Sequence, residues 1–130
     1  MVRAVRGAIT VEKNKKDMIL DAVKELLSKM LKENGLKHDD IISIWFTMTS
    51  DLNAVFPAKA ARELGLTDVA LMCANEIDVK NSLKKCIRIM ISFNTEKNHS
   101  GLKHVYLKKA VSLRPDLVKG EIDEKDQYSN

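Results

Sequence analysis

The sequence predicts an α+β fold: a mixed β-sheet carrying one long helix and one short helix. Three observations predict it. Only one segment, from about Lys15 to Glu33, repeats apolar residues at helical spacing over several turns. Several other runs are short, rich in β-branched residues and separated by turn chemistry. At 130 residues, with 45% hydrophobic and 31% charged side chains, the chain has the size and composition of one globular domain. A single long helix covers only one face of such a sheet, so the other face is expected to meet further copies of the chain.

The elements follow in order. Val2 to Ile9 reads as a strand in which Ala4, Arg6 and Ala8 share one face and Arg3, Val5, Gly7 and Ile9 the other. Arg6 therefore emerges between two alanines, with open space for a ligand or a partner. The helix from Lys15 to Glu33 has Asn14 as its expected N-cap and Gly35 as its stop. Met18, Ile19, Ala22, Val23, Leu26, Leu27, Met30 and Leu31 form its core stripe. Ile41 to Thr49 is continuously apolar or β-branched, as expected of a central strand buried on both faces. Ser50-Asp51-Leu52-Asn53 is turn chemistry, and Pro57 opens a short helix through Arg62 that ends at Gly65. Val69 to Cys73 is the next strand, and Ala74 to Ser82 a loop holding Glu76. Leu83 to Phe93 alternates as a second long strand, placing Arg88 between Cys86 and Met90 on one face. A polar loop from Asn94 to Gly101 and a mixed segment from His104 to Leu113 complete a domain spanning residues 1–117. Residues 118–130 form a polar tail, expected to be flexible.

Composition excludes several function classes. The net charge of +4 is spread over many lysines, and aromatics make up only 5% of residues, so a stacking platform for nucleic acid is not expected. Cys73 and Cys86 lack metal-ligand spacing, and His38, His99 and His104 form no cluster, so no metal, disulfide or cofactor is expected. No apolar stretch reaches the length of a membrane span, and a cytoplasmic location is expected.

Arginine usage is more informative. Only five of the 22 basic residues are Arg, and two of them, Arg6 and Arg88, lie within strands. Lysine suffices where a point charge is needed, whereas the planar guanidinium fork suits a carboxylate held by two parallel bonds. A guanidinium between Cys86 and Met90 must find an anion, since an unpaired buried charge is costly. These features fit either an enzyme acting on an acidic small molecule or an oligomeric protein that binds such a metabolite as a sensor.

Five blocks, in order and at compatible spacing, resemble the monofunctional chorismate mutases of the AroH class. They are Val5 to Val11, Asp51 to Leu64, Lys85 to Arg88, His104 to Leu107, and Leu113 to Leu117. The resemblance implies a chorismate-mutase-like pseudo-barrel, ferredoxin-like in its sheet, assembled as a homotrimer with active sites at subunit interfaces. It also implies one reaction, the intramolecular Claisen rearrangement of chorismate to prephenate in the shikimate pathway towards phenylalanine and tyrosine. That step breaks a C–O bond and forms a C–C bond in one molecule, with no cofactor. An enzyme can supply the compact conformer and fixed positive charge at the ether oxygen.

By the same resemblance, Arg88 donates to the ether oxygen and a carboxylate, Arg6 and Tyr106 hold the enolpyruvyl carboxylate, and Glu76 accepts the ring hydroxyl. Phe56, Ala58 and Leu71 form an apolar wall, and the Cys73 backbone, flanked by Ala74 and Asn75, lies beside Glu76. Lys59 and Arg62 attract the dianion at the mouth, while Leu113 and Arg114 play a supporting part. Met72 stands where the family carries a small hydroxyl residue, so a side-chain hydrogen bond there is lost.

Overall fold

The computed structural model describes residues 1–114, so the tail from 118 onward and residues 115–117 of the last family block lie outside the described residues. Five strands are present: β1 (Val2–Thr10), β2 (Ile41–Met48), β3 (Ala70–Asn75), β4 (Cys86–Asn94) and β5 (Val105–Leu107). They form one mixed sheet in the order β3-β2-β4-β1-β5. The long helix α1 (Lys16–Glu33) follows β1, and the short helix α2 (Ala58–Glu63) follows β2. β4 runs antiparallel to both β1 and β2, which gives the split β-α-β arrangement of a ferredoxin-like sheet. The edges differ from that pattern, because β3 pairs parallel with β2 and β5 parallel with β1.

The α1 stripe and one sheet face close the core. Ile19, Val23, Leu26, Leu27 and Met30 pack with Val5, Ile9, Ile44, Phe46, Ile87, Ile89 and Ile91, all of them 0–2% exposed. Gly7 allows a close approach of α1. A Cβ there would lie 2.5 Å from Met30 Sδ and 3.1 Å from the Val105 carbonyl oxygen. On the opposite face, Ala8, Cys86, Tyr106, Ala110 and Leu113 form a smaller cluster under the 3₁₀ segment Lys108–Leu113.

The stop at Gly35 is as expected. Gly35 has φ +60°, its N–H donates to Lys32 O, and the Leu36 N–H donates to Leu31 O. These are the paired bonds that close a helix through a left-handed residue. Asn14 does not cap α1, however. Lys15 occupies the N-cap without a side-chain bond, while Asn14 Oδ1 accepts from the N–H groups of Asn53 and Ala54. The asparagine is spent on pinning the loop after β2 because that loop has its own N–H groups to satisfy.

Two strand expectations also need correction. β2 is not buried on both faces: Ile44, Phe46 and Met48 point into the core, while Trp45 remains 41% exposed. Among the described residues α1 covers one side of the sheet, and the 3₁₀ segment Lys108–Leu113 covers the other only near β1 and β5, so β2 keeps a period-2 pattern within a largely apolar run. β4 begins at Cys86 rather than Leu83, because Lys85 has φ +49° and breaks the extended geometry. Asp51 holds that bend by accepting from the Lys85 N–H at 3.0 Å, and Thr49 Oγ1 accepts from the Cys86 N–H at 3.0 Å.

Candidate active site

Sheet register aligns the polar residues of the open face into rows. Thr47 lies opposite both Ala74 and Arg88, and Ala8 lies opposite both Arg88 and Tyr106. One row therefore runs Ala74, Thr47, Arg88, Ala8, Tyr106 from edge to edge. The next row holds Met72, Trp45, Met90 and Arg6. Arg88 thus occupies the middle strand, with Arg6 as its diagonal neighbour across the β1–β4 pair.

Arg88 is 15% exposed at its side chain, and its Nε lies 3.8 Å from Glu76 Oε2. Its counter-anion is therefore a carboxylate of the same chain, reached from just beyond the end of β3. The same Oε2 accepts a 2.6 Å hydrogen bond from Thr47 Oγ1, and the Glu76 N–H donates to Met48 O at 2.9 Å. Backbone and side chain of Glu76 are both tied to β2.

At the β5 edge, Arg6, Tyr106 and Arg114 come together around an open hollow of about 500 Å³, together with Lys29, Lys103 and His104. Among the described residues that line it, Glu33 is the one carboxylate. The Arg6 N–H donates to His104 Nδ1 at 3.0 Å, just where the β1–β5 ladder begins. Burial, and then the positive charge of Arg6, push the His104 imidazole below its ordinary value of 6.5. A neutral ring with Nδ1 as acceptor is the form this bond requires.

At the opposite, β3 edge, Phe56 lines a second hollow of about 480 Å³ with Cys73, Ala74 and Asn75. Phe56 is 74% exposed, an unusual state for an aromatic ring in a folded chain. Glu76 lines a third hollow, of about 420 Å³, beneath the loop that leads to Lys84.

The remaining residues named from the sequence sit elsewhere. Ala58 is buried in the main core and Leu71 packs against it, so within one chain neither borders the Phe56 hollow. Lys59 is half-buried and Arg62 exposed on α2. Leu113 is buried beneath Tyr106. Met72 is exposed on the open face beside Trp45. Cys73 is half-buried, whereas burial pushes the Cys86 thiol above its ordinary value of 9.0 despite the nearby Arg88. Among the described residues, no group of three His, Cys, Asp or Glu side chains is placed to hold a metal ion.

Sequence reasoning passed over Thr47 and His104. Thr47 was hidden in a run taken as buried throughout. The alternation of Ser43, Trp45 and Thr47 with Ile44, Phe46 and Met48 is the signal that marks it as facing outward.

Residues 2–117 match the family described as chorismate mutase type I. The chain is 48% identical over 118 residues to chorismate mutase AroH of Bacillus subtilis (strain 168), covering 90% of this chain and 93% of that protein. It is 46% identical over 118 residues to chorismate mutase AroH of Thermus thermophilus, covering 90% and 97%. The solved structure of a chorismate mutase from Clostridium thermocellum superposes with a TM-score of 0.84 at 55% identity, covering 85% of this chain and 98% of that one. With a match across nearly the whole described fold, the chain belongs to the type I chorismate mutase family.

Proposed function

We propose that this chorismate mutase converts chorismate to prephenate at sites shared between the subunits of a homotrimer, using conformer selection and the fixed charge of Arg88. The observation that carries the reading is Arg88 itself: a guanidinium on the middle strand of the sheet, mostly buried, with Glu76 at 3.8 Å. In the rearrangement the ether oxygen gains negative charge as the C–O bond breaks. A donor already in place at that oxygen stabilises the transition state more than the ground state and needs no reorganisation. On this reading Arg6 and Tyr106 hold the enolpyruvyl carboxylate, Glu76 accepts the ring hydroxyl, and Arg114 lies beside them. Phe56 and the Cys73 to Asn75 segment supply the apolar wall and backbone contacts, with Lys59 and Arg62 at the mouth. The substrate's own bonds rearrange, and no proton passes to or from the protein.

A shared site is supported by sheet order. β3 and β5 lie at opposite edges, four strand spacings or about 19 Å apart. The Phe56 and Arg6 hollows of one chain are thus too distant to hold one small ring between them, whereas edges of two neighbouring chains could meet around it. The open face supplies a reason for association, since Trp45, Met72 and Met90 are 41%, 53% and 40% exposed and adjacent in register. Such a contiguous apolar stripe is stabilised by burial against another subunit. The catalytic domain is taken as residues 1–117. Cys73 and Cys86 are free thiols, the state kept by a reducing cytoplasm.

The test is to follow the ultraviolet absorbance of chorismate with the wild-type protein and with Arg88→Lys. Prephenate formation by the wild type, with a loss of about 10²–10³ in kcat for the variant at unchanged fold, is expected. An undiminished rate in Arg88→Lys would sink the role of the guanidinium. Chorismate binding without turnover by the wild type would instead favour a sensor.

A further inference from the structure

Glu76 and Arg88 carry opposite charges on adjacent parts of the open face, yet they do not close into a tight pair. Arg88 Nε lies 3.8 Å from Glu76 Oε2, within ion-pair distance but beyond hydrogen-bond range. The oxygen concerned is the one that accepts 2.6 Å from Thr47 Oγ1. A carboxylate beside a guanidinium ordinarily closes into two parallel bonds. Here a hydroxyl on a rigid strand takes the bond instead.

We propose that Thr47 is a positioning residue that holds the Glu76 carboxylate at ion-pair distance from Arg88 and keeps it from closing onto the guanidinium. This rests on the roles given above to Glu76 and Arg88. Three features support it. Thr47 lies directly opposite Arg88 in the β2–β4 pair and opposite Ala74 in the β2–β3 pair, so its hydroxyl stands between the strand that carries the cation and the strand that ends at the anion. The Glu76 N–H is fixed to Met48 O, leaving side-chain rotation as the main freedom of Glu76. A β-branched side chain has few χ1 choices, so the hydroxyl points where the strand directs it. A carboxylate that closed onto Arg88 would take up donors meant for the substrate and offset the charge offered to the developing oxyanion. It would also turn away from the ring hydroxyl.

The experiment compares wild type, Thr47→Val, Thr47→Ser and Glu76→Gln in chorismate turnover, with the Arg88 Nε–H resonance followed by NMR. Valine keeps the shape and loses the hydroxyl; serine keeps the hydroxyl. Thr47→Val is expected to lose about tenfold in kcat/KM, the usual effect of a lost hydrogen bond to a charged group, and Thr47→Ser to stay within about twofold of wild type. In Thr47→Val alone, the Arg88 Nε–H resonance should shift and its exchange with water slow as the carboxylate closes. Wild-type kcat/KM in Thr47→Val, or equal loss in both threonine variants, overturns the proposal, as does an unmoved Arg88 resonance. Full activity in Glu76→Gln overturns the role of Glu76 and this proposal with it. A Glu76→Gln loss accompanied by an unaffected Thr47→Val overturns this proposal alone.

Discussion

The two faces of the sheet use alternate residues of the same strands for opposite ends. On the face under α1, Phe46, Ile89 and Ile91 are sealed among apolar neighbours, and Met30 and Leu26 of the helix pack tightly over Gly7. On the other face, Trp45 and Met90 meet solvent and Arg88 faces the Glu76 carboxylate. The covered face is complete within one chain. The open face carries the residues of the proposed site, and on the proposed reading a neighbouring subunit completes it. Stability and chemistry are thus segregated by strand alternation, so a substitution on one face should leave the other's property largely intact.

The largest expected effect is on the covered face. Phe46→Ala removes a fully buried ring and should cost about 3–5 kcal/mol in denaturant unfolding. A loss under about 1 kcal/mol would show that the core under α1 is looser than its burial indicates. Next comes the open face: in the proposed trimer, Trp45→Glu places a charge in the apolar stripe and should shift the sedimenting species to monomer, with activity lost alongside. Unchanged mass in that variant would mean that subunits meet elsewhere. Gly7→Ala should cost about 1–3 kcal/mol, since Met30 could shift but the Val105 carbonyl at 3.1 Å is backbone. A stabilised variant would contradict the close approach.

The smallest effect concerns pH. His104 is held below its ordinary value of 6.5, first by burial and then by Arg6, so the folded state binds its proton less well than the unfolded state does. Its contribution to stability is present above about 6.5 and is lost as pH falls through the lower, folded value. His104→Asn can keep an acceptor for the Arg6 N–H without titrating. Its unfolding midpoint should therefore fall less than that of the wild type between neutral and mildly acidic pH. Parallel pH curves for the two proteins would remove His104 from the account.

Much of this architecture was legible because it is local. The α1 stripe, the Gly35 stop, the Pro57 start of α2 and the Cys86, Arg88, Met90 face depend on period and turn chemistry alone. The errors arose where neighbours compete for one group. Asn14 suits a helix cap by type, but two loop N–H groups across the fold claim its oxygen. The start of β4 depends on Asp51, 34 residues earlier in the chain, gripping the Lys85 N–H. The candidate site was legible in its residue types and through its family blocks. Its spatial division between two sheet edges was not, because strand order is set by pairing between segments far apart in sequence.

By itself, then, the sequence determined the fold class, the long helix, the alternation that sets Arg6 between Ala4 and Ala8 and Arg88 between Cys86 and Met90 within their own strands, and the family. Each depends on periodicity or on short blocks of residues, which survive without knowledge of distant contacts. Only the tertiary structure decided that Thr47 shares an oxygen of Glu76 with Arg88, that His104 accepts from Arg6, and that β3 and β5 stand at opposite edges. Those facts depend on register, and register is chosen when the whole core closes over one face of the sheet.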